Sequence, residues 1–201
     1  MKRILLTGSR GKLGKYLTQK SPNIIGNRLN IDEKLEPMGR HYDLVIHAAA
    51  LTHVANAELE PEKYFKTNVY GTFNLVEACK DIPFVFISTE YAHKPLGVYA
   101  KTKWLGEQIV KMHPNHLIIR TLFKPTPWEL DVAYTDQYTD GDYVDVIADL
   151  IWKEIQEWDR TRSKHIYVGT GRKSMYELAI RTRPDVKPNK VTNPVIPKDY
   201  L

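Results

Sequence analysis

Two side chains four residues apart, Tyr99 and Lys103 in Val98-Tyr99-Ala100-Lys101-Thr102-Lys103, carry the chemistry most directly read from this chain. On a helix, positions four apart share one face, one turn from each other. A free phenol ionises near pH ~10, too high for acid–base work around neutrality. An ammonium one turn away favours the phenolate and lowers that value. A tyrosine so placed can hand a proton to a developing alkoxide or take one from an alcohol. The same spacing arises on any amphipathic helix whose outer face meets water. The pair therefore gains its meaning from the elements around it.

The first of those elements lies at the start of the chain. Residues 2–7 read as a short buried strand that runs into Gly8-Ser9-Arg10-Gly11-Lys12-Leu13-Gly14, then a helix to about residue 20. Strand, glycine turn and helix start make an anion site, where backbone N–H groups face a pyrophosphate. Gly8 permits the tight turn, Gly11 lets the phosphates approach, and Gly14 allows close helix–strand packing. A simple turn is the alternative. Residues 23–26 predict a second strand, with Arg28 just past its end and Asp32 four residues on. A carboxylate in this region suits the ribose hydroxyls of NAD, and an arginine suits the extra phosphate of NADP. Arg28, with Arg10 as a second cation in the glycine loop, favours NADP; NAD, with Asp32 on the ribose, stays open.

Residues 31–41 are polar and read as a loop or degenerate helix. A third strand over 42–47 leads into Ala48-Ala49-Ala50-Leu51-Thr52, small side chains that let a cofactor lie close to the backbone. Apolar spacing predicts one long helix over 61–80. Residues 84–87 form the next strand, ending in Ser88-Thr89-Glu90-Tyr91. The Tyr99 helix follows and runs to about residue 113, where Pro114 breaks it; residues 116–120 are a further strand. Alternating strands and helices imply an α/β protein with a doubly wound parallel sheet covered on both faces. Residues 121–138, rich in proline and aromatics, read as irregular. Residues 142–158 predict a helix and 165–168 a strand. Ser174 can cap a helix to about residue 181, and the prolines from 184 onward predict an extended arm.

A chain of 201 residues with 42% hydrophobic content can bury one core, with room for a small annex. No run approaches the roughly 18 apolar residues of a membrane span, and Ile4-Leu5-Leu6 is too short for a secretory signal. The expectation is a cytoplasmic protein with no membrane partner. Cys79 is the only cysteine, which excludes an intrachain disulfide and a thiolate cluster and leaves a small core residue. Seven scattered histidines form no ligand pattern, so no metal is expected. Trp104, Trp152 and Trp158 read as packing residues. Net charge is +5, but residues 160–201 hold ten basic against three acidic side chains, leaving 19 against 21 elsewhere. A basic C-terminal part attracts nucleic acid, membrane surfaces or phosphorylated small molecules. No nucleic-acid motif is present, so the expected ligand carries a diphosphate. Arg172 and Lys173, after a glycine turn, could meet it; a solvated surface is the alternative.

Taken together these segments resemble the extended short-chain dehydrogenase/reductases, and within them are most similar to the dTDP-4-dehydrorhamnose reductase group. The matching pieces are Thr7-Gly8-Ser9-Arg10-Gly11-Lys12-Leu13-Gly14, His47-Ala48-Ala49-Ala50-Leu51-Thr52-His53-Val54, Ala57-Glu58-Leu59-Glu60-Pro61 through Asn68, Ser88-Thr89-Glu90-Tyr91, Tyr99-Ala100-Lys101-Thr102-Lys103 and Arg120-Thr121. A weaker echo continues through 142–149 and 166–179. The resemblance implies a Rossmann-type core over residues 1–121 and a small substrate lobe over 122–201, partly interleaved with the core and ending in the arm. It implies an NAD(P)H-dependent reductase of a nucleotide-linked 4-keto sugar, or an epimerase of the same superfamily, with a homodimer as the expected assembly. Tyr99 would be the acid/base, Lys103 would hold the ribose and lower the Tyr99 pKa, and Thr89 would hydrogen-bond the reacting oxygen. Gly8, Ser9, Arg10, Gly11, Lys12, Leu13, Gly14, Arg28, Ala48, Ala49, Ala50 and Asn68 would line or support the cofactor site. Glu90, Tyr91 and Arg172 would face the substrate. Three departures fall on the substrate side: Glu90 stands where the family usually has Asp, the loop from Tyr91 to Tyr99 lacks a longer insert, and the chain is shorter than typical members. They leave room for a second reading, a catalytically idle Rossmann module with a regulatory role.

Overall fold

The computed structural model describes residues 3–26 and 29–199. In chain order it holds β1 (Ile4–Thr7), α1 (Lys12–Thr18), β2 (Ile24–Gly26), β3 (Leu44–His47), α2 (Val54–Leu59), α3 (Pro61–Phe65), α4 (Gly71–Ala78), β4 (Phe84–Thr89), α5 (Val98–Val110) and β5 (His116–Thr121). There follow β6 (Phe123–Lys124), β7 (Val132–Tyr134), β8 (Tyr138–Thr139), β9 (Asp142–Tyr143), α6 (Val144–Glu157), β10 (Lys164–Tyr167), β11 (Lys173–Ser174), α7 (Met175–Ala179) and β12 (Lys187–Asn189). Six strands make one parallel sheet in the order β10-β5-β4-β3-β1-β2.

The strands are buried on both faces, which is why their sequences run apolar without alternation. Ile4 and Leu6 of β1, with Val85 and Ile87 of β4, turn to one face and pack on Leu13 and Leu17 of α1 and Ile147, Ile151 and Ile155 of α6. Leu5, Phe84 and Phe86 turn to the other, against Leu75 and Val76 of α4 and Val110 of α5. Strand order reverses between β1 and β3, and in doubly wound sheets ligands bind at that crevice, beyond the carboxyl ends of the strands. The glycine turn after β1 and the alanine run after β3 both open there. A third apolar cluster, including Leu122, Trp128, Tyr143, Met175, Leu178 and Val186, forms a small lobe beside this end of the sheet. Among the described residues no helix is long and apolar enough to cross a membrane.

Several elements differ from the expectations. The long helix over 61–80 is divided: α3 and α4 flank a π-helical turn at Lys66–Tyr70, and α4 ends at Ala78. Periodicity does not register one extra residue in a turn. α2 was not foreseen, because it is six residues long and only Ala57 is buried. Residues 121–138 are not wholly irregular, since β6 and β7 pair in parallel with β9 and β12. The arm from 183 is partly a strand for the same reason. α6 and β10 complete the main sheet layers, so the lobe is built from residues on either side of them. Cys79 is buried, with its thiol pushed up to about 12 by desolvation. Trp104, expected to pack, is exposed.

Candidate active site

The glycine turn is shaped by contacts that only glycine admits. Gly8 has φ +74°, and a Cβ there would lie 2.6 Å from Ala49 N and 2.7 Å from Ala48 C. The loops after β1 and β3 thus touch backbone to backbone. A Cβ on Gly14 would lie 2.1 Å from Gly8 O, and one on Gly11 3.2 Å from it. The turn therefore cannot take side chains that would fill the cradle where a pyrophosphate fits. Arg10 and Lys12 are exposed beside it, and Ser9 is packed against Gly26 of β2. Leu13 differs from the expectation: its side chain belongs to the core, so only its backbone could face a ligand. Arg28 lies outside the described residues. Asp32 accepts from Thr67 Oγ1 at 3.2 Å, while its other oxygen is buried without a partner among the described residues.

Tyr99 stands in the first turn of α5. That turn starts where it does because Glu58 of α2 accepts from Val98 N at 2.7 Å, a carboxylate at a helix N-terminus. Tyr99 packs edge-on to Tyr91, with ring centroids 6.2 Å apart, and the Thr89 side chain lies near enough to lower the pKa of its phenol. Thr89 also accepts from Tyr91 N at 3.3 Å. All three line a cleft of about 530 Å³. Lys12 of the glycine loop lines the same cleft, as do Phe123, Lys124 and Trp128 of the lobe side. The volume suits a small-molecule site.

The expected effect of Lys103 on Tyr99 is corrected by the structure. Burial pushes the Tyr99 phenol above its ordinary value, and the nearby Thr89 side chain offsets only part of that. Lys103 is buried with its ammonium on Ile87 O at 2.8 Å and 4.0 Å from the Phe86 ring centroid. Desolvation draws it down to about 7, against the pull of Glu107 one turn further along α5. Glu107 is fully buried; it accepts from Ser88 Oγ at 2.6 Å and takes a bidentate pair from Arg120, Nε at 2.8 Å and Nη2 at 2.7 Å. This network was not foreseen. Its one sequence signal is Arg120, a charge at the end of the apolar run Leu117-Ile118-Ile119.

Asn68, on the π-helical turn, acts as a strut. It exchanges hydrogen bonds with Leu51 N and O at 2.8 and 2.9 Å and donates to Thr102 Oγ1 of α5 at 3.1 Å. The loop after β3, which carries half-buried Ala48, Ala49 and Ala50, is thereby tied to the helix that carries Tyr99. His47 lies between Thr7 and Thr72, and burial lowers it to about 3, so it stays neutral.

Two residues expected on the substrate side lie elsewhere. The Glu90 carboxylate accepts from Thr139 Oγ1 at 2.6 Å and Asp140 N at 3.2 Å, which clasps the sheet end to the lobe; burial raises it to about 6. Arg172 makes a bidentate pair with Asp199 and stacks on Tyr138 at 4.5 Å. Neither lines the large cleft. Lys173 is a strut as well, donating to the Gly141 and Gly171 carbonyls at 2.7 and 2.6 Å. The physical reason is common to all three: short elements of the lobe leave backbone and side-chain polar groups that these side chains satisfy.

Sheet order, glycine turn and cleft define a Rossmann-type α/β fold of the dinucleotide-binding kind. The chain belongs to the family described as RmlD substrate binding domain, whose model matches residues 1–149. It is 27% identical over 179 residues to a dTDP-4-dehydrorhamnose reductase of Mycolicibacterium smegmatis, a match over 74% of this chain and 55% of that one. The chain thus spans about half the length of that relative. A solved dTDP-4-dehydrorhamnose reductase from Clostridium acetobutylicum superposes with a TM-score of 0.81 at 24% identity, over 97% of this chain and 85% of the other. One from Bacillus anthracis, solved with NADP, gives 0.79 at 23% identity, over 95% and 85%. At these identities the solved structures speak for the fold.

Proposed function

We propose that this chain is an NAD(P)H-dependent reductase of a nucleotide-linked 4-keto sugar, of the dTDP-4-dehydrorhamnose reductase kind. The observation that carries this reading is the Tyr99 phenol beside Thr89 on the wall of a cleft shared with Lys12 of the glycine loop. The close backbone approach at Gly8 and Gly14 suits a dinucleotide. Gly8, Ser9, Arg10, Gly11, Lys12, Gly14 and the Leu13 backbone would hold its pyrophosphate, with Ala48, Ala49 and Ala50 alongside and Lys103 on the ribose. When bound, the nicotinamide supplies a hydride. Tyr99 gives the proton to the substrate oxygen, and Thr89 hydrogen-bonds that oxygen. A buried phenol raised above its ordinary value is fully protonated at neutral pH, which is the form a donor needs.

Reduction is favoured over dehydration by Glu90. Eliminating water needs an acid and a base at the reacting carbons together, and the Glu90 carboxylate is engaged by Thr139 and Asp140 instead. The test is to incubate the protein with a nucleotide-4-keto-6-deoxysugar and with a nucleotide-glucose. We expect one reduced nicotinamide consumed per keto sugar and none with the glucose compound. Loss of water from the latter without cofactor consumption would overturn the reading.

NADP is the preferred cofactor in this reading, on the strength of Arg10 and Arg28. Titration calorimetry should give tighter binding of NADPH than NADH, with the difference levelled or reversed in Arg28→Asp. An NADH preference in the unmodified protein would point to Asp32 as the ribose ligand. A catalytically idle module is the second reading, favoured by the hold of Ile87 O on the Lys103 ammonium; NADPH binding without turnover of any keto sugar would support it. An epimerase would turn over its substrate with no net cofactor consumption. The remaining parts of the reading are a core over 1–121 with an interleaved lobe over 122–201, a homodimer, a cytoplasmic setting and no nucleic-acid or membrane partner.

A further inference from the structure

We propose that Lys124 and the indole N–H of Trp128 form a phosphate-binding subsite within the Tyr99 cleft, one that reads a diphosphate ester. The proposal rests on the functional reading above only for which molecule brings the diphosphate.

Lys124 is half-buried on β6, and its ammonium lies over the Trp128 indole face, 5.5 Å from the ring centroid. A π face attracts a cation but does not neutralise it. No carboxylate is paired with Lys124 among the described residues. Glu129, the acid nearest in sequence, is exposed and pairs with Lys12 at 3.1 Å. Burial lowers the Lys124 ammonium from its ordinary value, and the Lys12 charge lowers it further. A lysine in such surroundings is costly, and an apolar residue would avoid the cost.

Trp128 supplies the second, independent observation. It is only 4% exposed, and its indole N–H is buried without a hydrogen-bond partner among the described residues. Buried donors are nearly always paired, so an orphan calls for an explanation. Lys124 and Trp128 both line the 530 Å³ cleft, as does Lys12. An unmet cation and an unmet neutral donor side by side in one cleft form a pair that an anion satisfies at once; the second cation, Lys12, is already paired with Glu129, which lines the same cleft. Lysine acts on phosphate as a compact point charge, without the planar fork that suits a carboxylate. The frame is fixed: β6 pairs with β9, and Trp128 N donates to Thr182 Oγ1 at 3.0 Å.

Two molecules could bring the diphosphate, the dinucleotide or a nucleotide-linked sugar. Titration calorimetry on the whole chain with inorganic pyrophosphate, NADPH and a nucleoside diphosphate separates them. Lys124→Met should weaken pyrophosphate binding about tenfold or more, the scale of a charge-assisted hydrogen bond. Trp128→Phe, which keeps the ring and removes the N–H, should weaken it severalfold, and Lys124→Arg should retain most of the affinity. If the nucleoside diphosphate weakens in Lys124→Met while NADPH does not, the subsite serves the substrate; the reverse pattern assigns it to the cofactor. Either pattern supports the subsite. It is overturned if pyrophosphate fails to bind the unmodified protein, or if Lys124→Met binds all three molecules as the unmodified protein does. Should Trp128→Phe not fold, as judged by circular dichroism, Lys124→Met decides alone. Pyrophosphate binding that depends on Lys124, in a protein that reduces no keto sugar, would leave the subsite standing and the functional reading lost.

Discussion

Replacing Tyr99 by Phe is expected to lower the rate of keto-sugar reduction by at least about a hundredfold, the lower end of what a general acid contributes. The substitution removes one oxygen and little else. The ring keeps its edge-on contact with Tyr91, and Thr89 still accepts from Tyr91 N. Stability should therefore change by no more than about 1 kcal/mol, the net worth of one hydrogen bond. NADPH affinity should hardly move, because the hydroxyl serves the substrate. Steady-state kinetics with a nucleotide-4-keto sugar and calorimetry with NADPH check the two halves separately. Near-normal turnover in this variant would remove Tyr99 from the chemistry. The pH profile adds a further discrimination. With the phenol raised by burial, Tyr99 stays protonated through neutrality. An alkaline decline close to neutral pH would belong to Lys103, which burial draws down to about 7.

Much of this site was legible because it is local in sequence. Tyr99 and Lys103 sit on one helix at a spacing that needs no tertiary information, and Gly14 is required by contacts within a single turn, whereas the close approach at Gly8 is to Ala48 and Ala49. Alternating elements also gave the parallel sheet and its covered faces. What could not be read depends on partners distant in the chain. The Lys103 ammonium goes to Ile87 O, sixteen residues back, and not to its helical neighbour. Glu90 and Arg172 have residue types and loop positions that suggest ligands, yet Thr139 and Asp199 engage them. The start of α5 is set by Glu58, on a helix too short to stand out. The π-helical turn that carries Asn68 is invisible to periodicity, although the single residue it inserts aims that side chain at Leu51 and Thr102. In the lobe, strands of two or three residues are too short for any alternation to declare itself.

The largest loss of stability is expected at Glu107, outside the substrate cleft. Burial works against the Arg120 cation, but the Glu107 carboxylate and the Tyr167 hydroxyl more than offset it, so Arg120 stands above its ordinary value. Glu107→Ala leaves that guanidinium buried and uncompensated, keeping Ala92 O at 3.2 Å and Tyr167 OH at 2.7 Å as acceptors. Breaking a buried pair by removing one partner costs about 3–5 kcal/mol. For a chain of this size that is a fall in Tm of about 6–20 °C. Replacing both partners by apolar residues, as in Glu107→Leu with Arg120→Met, should recover most of the loss, because the desolvation cost disappears with the charges. The double-mutant cycle then reports a strong coupling between the two positions. Lys103 carries the pH signature. Its folded value, about 7, lies below the ordinary 10.5, so between those values the unfolded chain holds the proton more tightly. Lys103 therefore adds stability as pH rises through that window and withdraws it as pH falls through about 7. Glu107 is the group that resists this lowering, so Glu107→Ala should carry the lower edge of the window to more acid pH. Thermal unfolding across pH 6–10 measures both effects; a Glu107→Ala variant within about 1 kcal/mol of the unmodified protein would mean that solvent reaches Arg120 and that the pair is not buried in the sense argued.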